Sequence, residues 1–301
     1  MKTWVVVVGG TNMDVVARTS APLVRATSNP GQTRISPGGV GRNIAACLGL
    51  LGAPVRLVSA VGDDAFGAEA LRVTAECGAD VGSVRRVPGA TGTYTAVLDD
   101  RGELVAAVSD MATVDALELE TLHLTDAGLV VLDGNLALPQ AARVVAAAAA
   151  AGVPLAFEPV SVAKAARLAA LVRDLFLVTP NTDELAALTG RPLGDWRSSV
   201  AELHDRGVEH VWLRRGAEGS WMCTRGQEPV HLAAEPATVV DVTGAGDAML
   251  AAWIAAWLHG ADAVEAARQG HRAAAVTIES PHTVRPDLAA AIEKHTSEKG
   301  S

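Results

Sequence analysis

Short apolar runs alternate with longer alanine-rich or amphipathic stretches through most of the chain. Trp4-Val5-Val6-Val7-Val8, closed by Gly9-Gly10, has no polar face, which predicts a strand buried on both sides, as in a parallel sheet. Similar runs predict strands at 55–61, 129–133, 155–157, 176–178 and 211–213. Between them the pattern predicts helices at 40–51, 66–77, 139–151, 182–189, 198–206 and 245–259. The alanines of 146–151 belong to one of these, because alanine is the best helix former and Gly152 supplies the stop. Strand alternating with helix argues an α/β fold, a doubly wound and mostly parallel sheet flanked by helices.

Two stretches break that rhythm. Residues 14–37 are polar and β-prone, interrupted by Pro22, Pro30 and Pro37, and 91–99 with 104–109 form a hairpin across Asp99-Asp100-Arg101-Gly102. Together they predict a small separate sheet, a β-sheet lid made by insertions at about 14–37 and 91–110 of one domain spanning 1–301. The tail from Ser297 to Ser301 is expected to fray.

Composition narrows the function. Hydrophobic residues make up 49% and charged ones 20%, ordinary for a globular enzyme. A net charge of −9 without a basic stripe argues against a nucleic-acid partner. Cys47, Cys77 and Cys223 give neither a disulfide framework nor a zinc spacing, which fits a reducing cytoplasm. The apolar run from Met1 to Val8 is too short to span a membrane and lacks a cleavage pattern. The eight histidines form no metal-binding spacing, and no Walker A sequence is present.

The richest chemistry lies in Asp241-Val242-Thr243-Gly244-Ala245-Gly246-Asp247, followed by an apolar helix. Glycines at a helix mouth let backbone N–H groups approach an anion, and the helix dipole favours negative charge there. Asp247 inside such a turn opposes the anion it neighbours, yet it suits a base that takes a proton from an attacking hydroxyl. The amides of Gly244, Ala245 and Gly246 would then stabilise a transferring phosphoryl group. A helix cap would explain the turn alone, but the second aspartate six residues upstream favours catalysis.

Ser36-Pro37-Gly38-Gly39-Val40-Gly41-Arg42-Asn43 is a second glycine-rich turn. Gly38 and Gly39 permit close backbone approach, and Asn43 offers both a donor and an acceptor suited to sugar hydroxyls. A tight strand-to-helix turn explains these glycines equally well when taken alone. Gly10-Thr11-Asn12-Met13-Asp14 follows the first strand, so Asn12 and Asp14 would stand at the carboxyl edge of the sheet, where ligands bind. That run lacks G-x-G-x-x-G, against a dinucleotide enzyme.

Over nearly the whole chain these residues resemble the ribokinase-like (PfkB) carbohydrate kinase family, with its Gly-Gly-x-Gly-x-Asn element and its Asp-Thr-x-Gly-Ala-Gly-Asp element, here with the threonine displaced by one to Thr243. The resemblance implies ATP and Mg²⁺, with Asn181 and Glu184 of Asn181-Thr182-Asp183-Glu184 organising the metal and phosphates through water. It places Arg215, Gly216, Gly219 and Thr243 beside ATP, and His271 and His282 near the adenine and monovalent-cation region. It also implies K⁺ near the second motif, with Asp241 a candidate ligand, although Glu279-Ser280-Pro281-His282-Thr283 departs from the family form. A homodimer joined through the lid is expected on the same ground.

Ser28-Asn29-Pro30-Gly31, the stretch 37–45, Ser109-Asp110-Met111 and Pro159-Val160-Ser161 with Lys164 are similar to the family's pseudouridine-kinase subgroup, with Glu158 where that subgroup carries aspartate. That likeness implies phosphorylation of the 5′-hydroxyl of pseudouridine. Asp14 and Asn43 would hold the ribose, Ser28 and Asn29 would read the base, and Thr93, Asp110 and Lys164 would complete the pocket. Taken in isolation, 28–31 reads as an ordinary turn. The alternatives are a kinase of ribose, another nucleoside or another sugar, and a catalytically silent sensor on the same fold.

Overall fold

The computed structural model describes residues 4–119 and 122–299. Met1–Thr3 of the first apolar run and Gly300 and Ser301 of the expected frayed tail lie outside the described residues, and 297–299 continue the last helix. The strands are β1 (Trp4–Val8), β2 (Asn12–Thr19), β3 (Gly31–Gly38), β4 (Val55–Gly62), β5 (Asp80–Val87), β6 (Thr93–Leu98) and β7 (Leu104–Asp110). They continue with β8 (Ala127–Asp133), β9 (Leu155–Glu158), β10 (Leu177–Val178), β11 (His210–Arg214), β12 (Ser220–Thr224) and β13 (Val230–Leu232). The helices are α1 (Val40–Leu50), α2 (Ala65–Glu76), α3 (Ala112–Asp115), α4 (Leu138–Ala151) and α5 (Val162–Leu168). The remainder are α6 (Thr182–Thr189), α7 (Trp196–Asp205), α8 (Ala245–Leu258), α9 (Ala263–Ile278) and α10 (Leu288–Lys299).

The main sheet has nine strands in the order β13-β12-β11-β10-β9-β8-β1-β4-β5. Pairing is parallel from β11 through to β5, and antiparallel where β12 and β13 extend the edge. Side chains alternate across a strand, so each run feeds two cores. Val5, Val7, Leu129, Val131 and Trp212 join α1, α8 and α9 on one face. Val6, Val8, Val130, Leu132 and Leu213 pack on the other face, with buried residues of α4, α5, α6 and α7. This is why the strands read as continuous apolar runs. Gly270 lets α9 close on this core, since a Cβ there would stand 2.4 Å from Trp212.

β1 pairs with β4 on one side and β8 on the other, so the chain order reverses there and a crevice opens above the strand ends. The second sheet, in the order β3-β2-β6-β7, is separate. Its outer pairs are antiparallel and its central β2–β6 pair is parallel. Its β6–β7 hairpin turns where the pattern predicts, with Gly102 N–H donating to Asp99 O at 3.0 Å. Every residue of β7 is exposed. The pattern alone assigns no element to the stretches that form β5, β12, β13, α5, α9 and α10. Among the described residues no helix is long and apolar enough to cross a membrane.

Candidate active site

The crevice collects its polar groups from strand ends and helix starts. Asp247 lies on the first turn of α8, whose N-cap Gly244 adopts φ 81. A Cβ at Gly244 would meet Thr283 O at 1.9 Å, so only glycine fits this turn. The Ala245 N–H donates to Val242 O at 3.3 Å. The amides of a helix's first turn otherwise lack intrahelical acceptors and face a ligand or solvent. Opposite stands Asn43 on α1, whose Nδ2 donates to Asp247 Oδ2 at 2.8 Å. Arg42 Nη1 donates to Asn43 Oδ1 at 3.2 Å, which fixes the amide with its nitrogen towards the carboxylate. The two glycine-rich turns, 204 positions apart in sequence, therefore meet at one hydrogen bond.

A carboxylate that the sequence did not single out holds the floor. Asp133, at the end of β8, is fully buried. Its Oδ2 accepts the Gly10 N–H at 2.8 Å and the Gly41 N–H at 2.6 Å, and its Oδ1 accepts the Asn135 N–H at 2.8 Å. A Cβ at Gly9 would stand 2.3 Å from Asp133 Oδ2, so the glycine after β1 makes room for this carboxylate. Gly38 does the same for Asp14, whose Oδ2 would be 2.4 Å from a Cβ there. Gly39, at φ 95, lies against the Gly10 carbonyl. Asn12 Nδ2 donates to Asp14 Oδ1 at 2.7 Å, presenting that carboxylate beside the turn.

On the other flank Arg214, at the end of β11, turns inward. Its Nη2 donates to both oxygens of Glu158 at 2.7 Å, and its Nη1 donates to Gly246 O at 3.3 Å. Glu158 also accepts from Thr179 Oγ1 at 2.7 Å. Asn181 caps α6: its Oδ1 accepts the Glu184 N–H at 2.8 Å, while Glu184 Oε2 accepts the Asn181 N–H at 2.9 Å. A bridge between Asn181 and Arg214 sets this cap beside β11. The neighbouring Arg215 pairs with Glu218 at 2.9 Å, within the Gly216–Gly219 turn.

Burial, with the Glu158 and Asp133 carboxylates nearby, pushes the Asp247 carboxyl up from 3.8 to about 8, against the Asn43 hydrogen bond and the Arg214 guanidinium. Burial also raises Asp14, Asp133 and Glu184 above the usual carboxylate range. Burial opposes the Arg214 charge, but the Glu158 carboxylate more than restores it. The site gathers carboxylates around two guanidiniums, Arg214 and the buried Arg42, with a proton held near neutrality at the helix mouth.

The remaining sequence candidates are dispersed. Lys164, on α5, donates to Asn135 Oδ1 at 2.5 Å and so stands behind Asp133. Thr93 pairs across the lid with Met13 and Asp110. The Asp110 carboxylate caps its own loop by accepting the Ala112 N–H at 3.2 Å. Asn29 closes the loop between β2 and β3: its Oδ1 accepts the Val24 N–H at 2.8 Å, and its Nδ2 donates to Val24 O. Ser28 shares that loop. Thr243 N–H donates to Asp241 Oδ1 at 2.9 Å. His271 is buried against Ser220 Oγ at 2.7 Å, and burial lowers it to about 4, so it stays neutral.

Comparison with known proteins shows the family and the fold. The chain is 33% identical to pseudouridine kinase of Escherichia coli (strain K12) over 96% of its own length and 95% of the relative's. It superposes on a carbohydrate kinase from Agrobacterium tumefaciens with TM-score 0.83 and 30% identity, covering 97% of this chain and 96% of that one. It superposes on the ribokinase of Arabidopsis thaliana complexed with ribose and ATP with TM-score 0.86 and 25% identity, covering 97% and 99%. The pfkB family carbohydrate kinase model matches residues 2–290. The chain therefore belongs to the pfkB family of carbohydrate kinases and is an ATP-dependent phosphotransferase of ribokinase-like fold.

Proposed function

We propose that this chain transfers the γ-phosphoryl group of ATP to the 5′-hydroxyl of pseudouridine. The observation that carries the chemistry is Asp247, held at 2.8 Å by Asn43 on a glycine turn at the start of α8, with its carboxyl raised to about 8. A base must accept the hydroxyl proton as the oxygen attacks, and a proton affinity near working pH suits that step. The Gly244-Ala245-Gly246 turn and the dipole of α8 would stabilise the charge that builds on the transferring group.

Asp14, Asn12, Gly38, Gly39 and Asn43 would hold the ribose, and Ser28, Asn29, Thr93 and Asp110 would meet the base from the second sheet acting as a lid. Lys164 would act through Asn135, to which it donates and whose amide in turn donates to Asp133. Thr243, Arg215, Gly216 and Gly219 would border ATP. Among the described residues no group of three or more ligating side chains is gathered for a metal. Mg²⁺ keeps several waters and takes phosphate oxygens, so an incomplete protein shell fits it. Glu184 and Asn181 would hold it through water, since their capping box commits one Glu184 oxygen. When bound, Mg²⁺ neutralises and orients the phosphates.

Pseudouridine is preferred because of the E. coli relative that carries that name, matched over nearly the full chain. Ribose is the second reading, favoured by the likeness to a ribokinase complexed with it. Leu104, Val105 and Val108 stand exposed on β7, which would suit a homodimer through the lid; sedimentation would show it. A cytoplasmic enzyme is the setting for this reading. Turnover of pseudouridine, uridine and ribose, compared with ATP and Mg²⁺, tests the acceptor. Preference for ribose would discard the base-reading lid, and no turnover with ATP still bound would support a silent sensor.

A further inference from the structure

A free monovalent cation at Asp241 does not fit the residues that surround it. Asp241 precedes the catalytic turn, and its own N–H and that of Val240 donate to Ile278 O at 3.2 and 2.7 Å. One carbonyl shared by two N–H groups therefore ties 240–241 to the end of α9. A little further on, the Thr283 carbonyl lies against Gly244. One Asp241 oxygen accepts the Thr243 N–H, while the other faces the lid. Arg34 arrives there from β3, the edge strand of the second sheet. Its Nη2 stands 3.6 Å from Asp241 Oδ2, and its Nη1 donates to Pro281 O at 2.5 Å. A carboxylate and a main-chain carbonyl thus bracket the Arg34 guanidinium, each at a different nitrogen, an oxygen pair of the kind that attracts a cation.

We propose that Arg34 is a tethered cation: its guanidinium takes the place of K⁺ behind the catalytic turn and holds the 240–244 and 278–283 segments in the geometry that α8 needs. The proposal rests on the kinase reading only for its effect on turnover. Arg34 is a positioning residue, since it reaches the reacting groups through Asp241 and the Gly244 turn. The site is open to solvent through a pocket of ≈ 390 Å³ that Arg34, Pro281, His282 and Thr283 help to line. A free ion could therefore enter if Arg34 were removed. Because the guanidinium is carried on the lid, the cation would arrive with the lid.

The test compares wild type, Arg34→Gln and Arg34→Lys in KCl and in tetramethylammonium chloride at equal ionic strength, reading Tm and ATP-dependent turnover. Arg34 is half-exposed on an edge strand, so the substitutions leave the cores intact. The expected result is a wild type indifferent to K⁺. K⁺ should raise the Tm of Arg34→Gln by about 2 °C or more and restore its turnover at least about tenfold. Arg34→Lys, which keeps the charge, should respond less than Arg34→Gln. A wild type that K⁺ stabilises and activates as strongly as Arg34→Gln would overturn the proposal, and so would an Arg34→Gln that ignores K⁺ in both readouts. If wild type turned over no acceptor, the kinase reading would fail, while the Tm comparison would still decide the cation.

Discussion

Replacing Asp247 by asparagine should stabilise the protein at alkaline pH while removing its base. The carboxyl is raised from 3.8 to about 8, so between those values the folded chain holds a proton that the unfolded chain has released. Stability then falls with rising pH across that window and levels off above it, because unfolding releases the proton. Each pH unit is worth about 1.4 kcal/mol, giving an upper bound of about 6 kcal/mol above pH 8. Asp247 is only partly buried, and water relieves some of that penalty; about 2–4 kcal/mol is expected. Asparagine has nearly the same shape and does not titrate, and its oxygen can still accept the Asn43 N–H. Trp212 and Trp253 are fully buried and report unfolding by fluorescence. Urea unfolding of both proteins between about pH 5.5 and 9 should show the advantage of Asp247→Asn growing to about pH 8 and then holding constant. An advantage that stays flat across that range, or shrinks as pH rises, would refute the reasoning.

The wild type should lose kcat/KM as pH falls through about 8 and the base becomes protonated. Asn43→Ala removes the hydrogen bond that opposes this, so the acid limb should move up by about one pH unit, seen in pH–rate profiles. Arg214→Met leaves Glu158 buried without its partner and should cost about 3–5 kcal/mol in urea unfolding, with Glu158→Gln added to it recovering part of the loss. Gly244→Ala forces a side chain onto Thr283 O at a left-handed φ and should cost at least about 1–3 kcal/mol, with turnover falling further.

Much of the fold is legible because β1, β8 and β11 are buried on both faces along their middles and carry charged or polar side chains only at their ends. The element at 80–87 is not, because an edge strand carrying Arg85 and Arg86 has no fully buried residue to give it a period. α9 hides behind Gln269, Gly270 and His271, which are packed or solvated for reasons that lie in other elements. At the site, Asp247 and Asn43 announce themselves through glycines in their own segments. Asp133 and Glu158 do not: each is the last residue of a strand, and only the sheet order brings it under the crevice. The pair Arg214-Arg215 shows the same limit, since local sequence does not say which arginine turns inward. Asn29 lies in the loop between two lid strands, and its amide is engaged by Val24 of the same loop, a contact no local pattern announces.

The most direct test of the account is phosphoryl transfer by Asp247→Asn, measured as nucleoside phosphate formed from ATP with ATP affinity followed in parallel. The account predicts that kcat falls by about 10²–10⁴ while ATP binds as before, because only proton acceptance is lost. A variant that kept most of its transfer rate would contradict the assignment of Asp247 as the base.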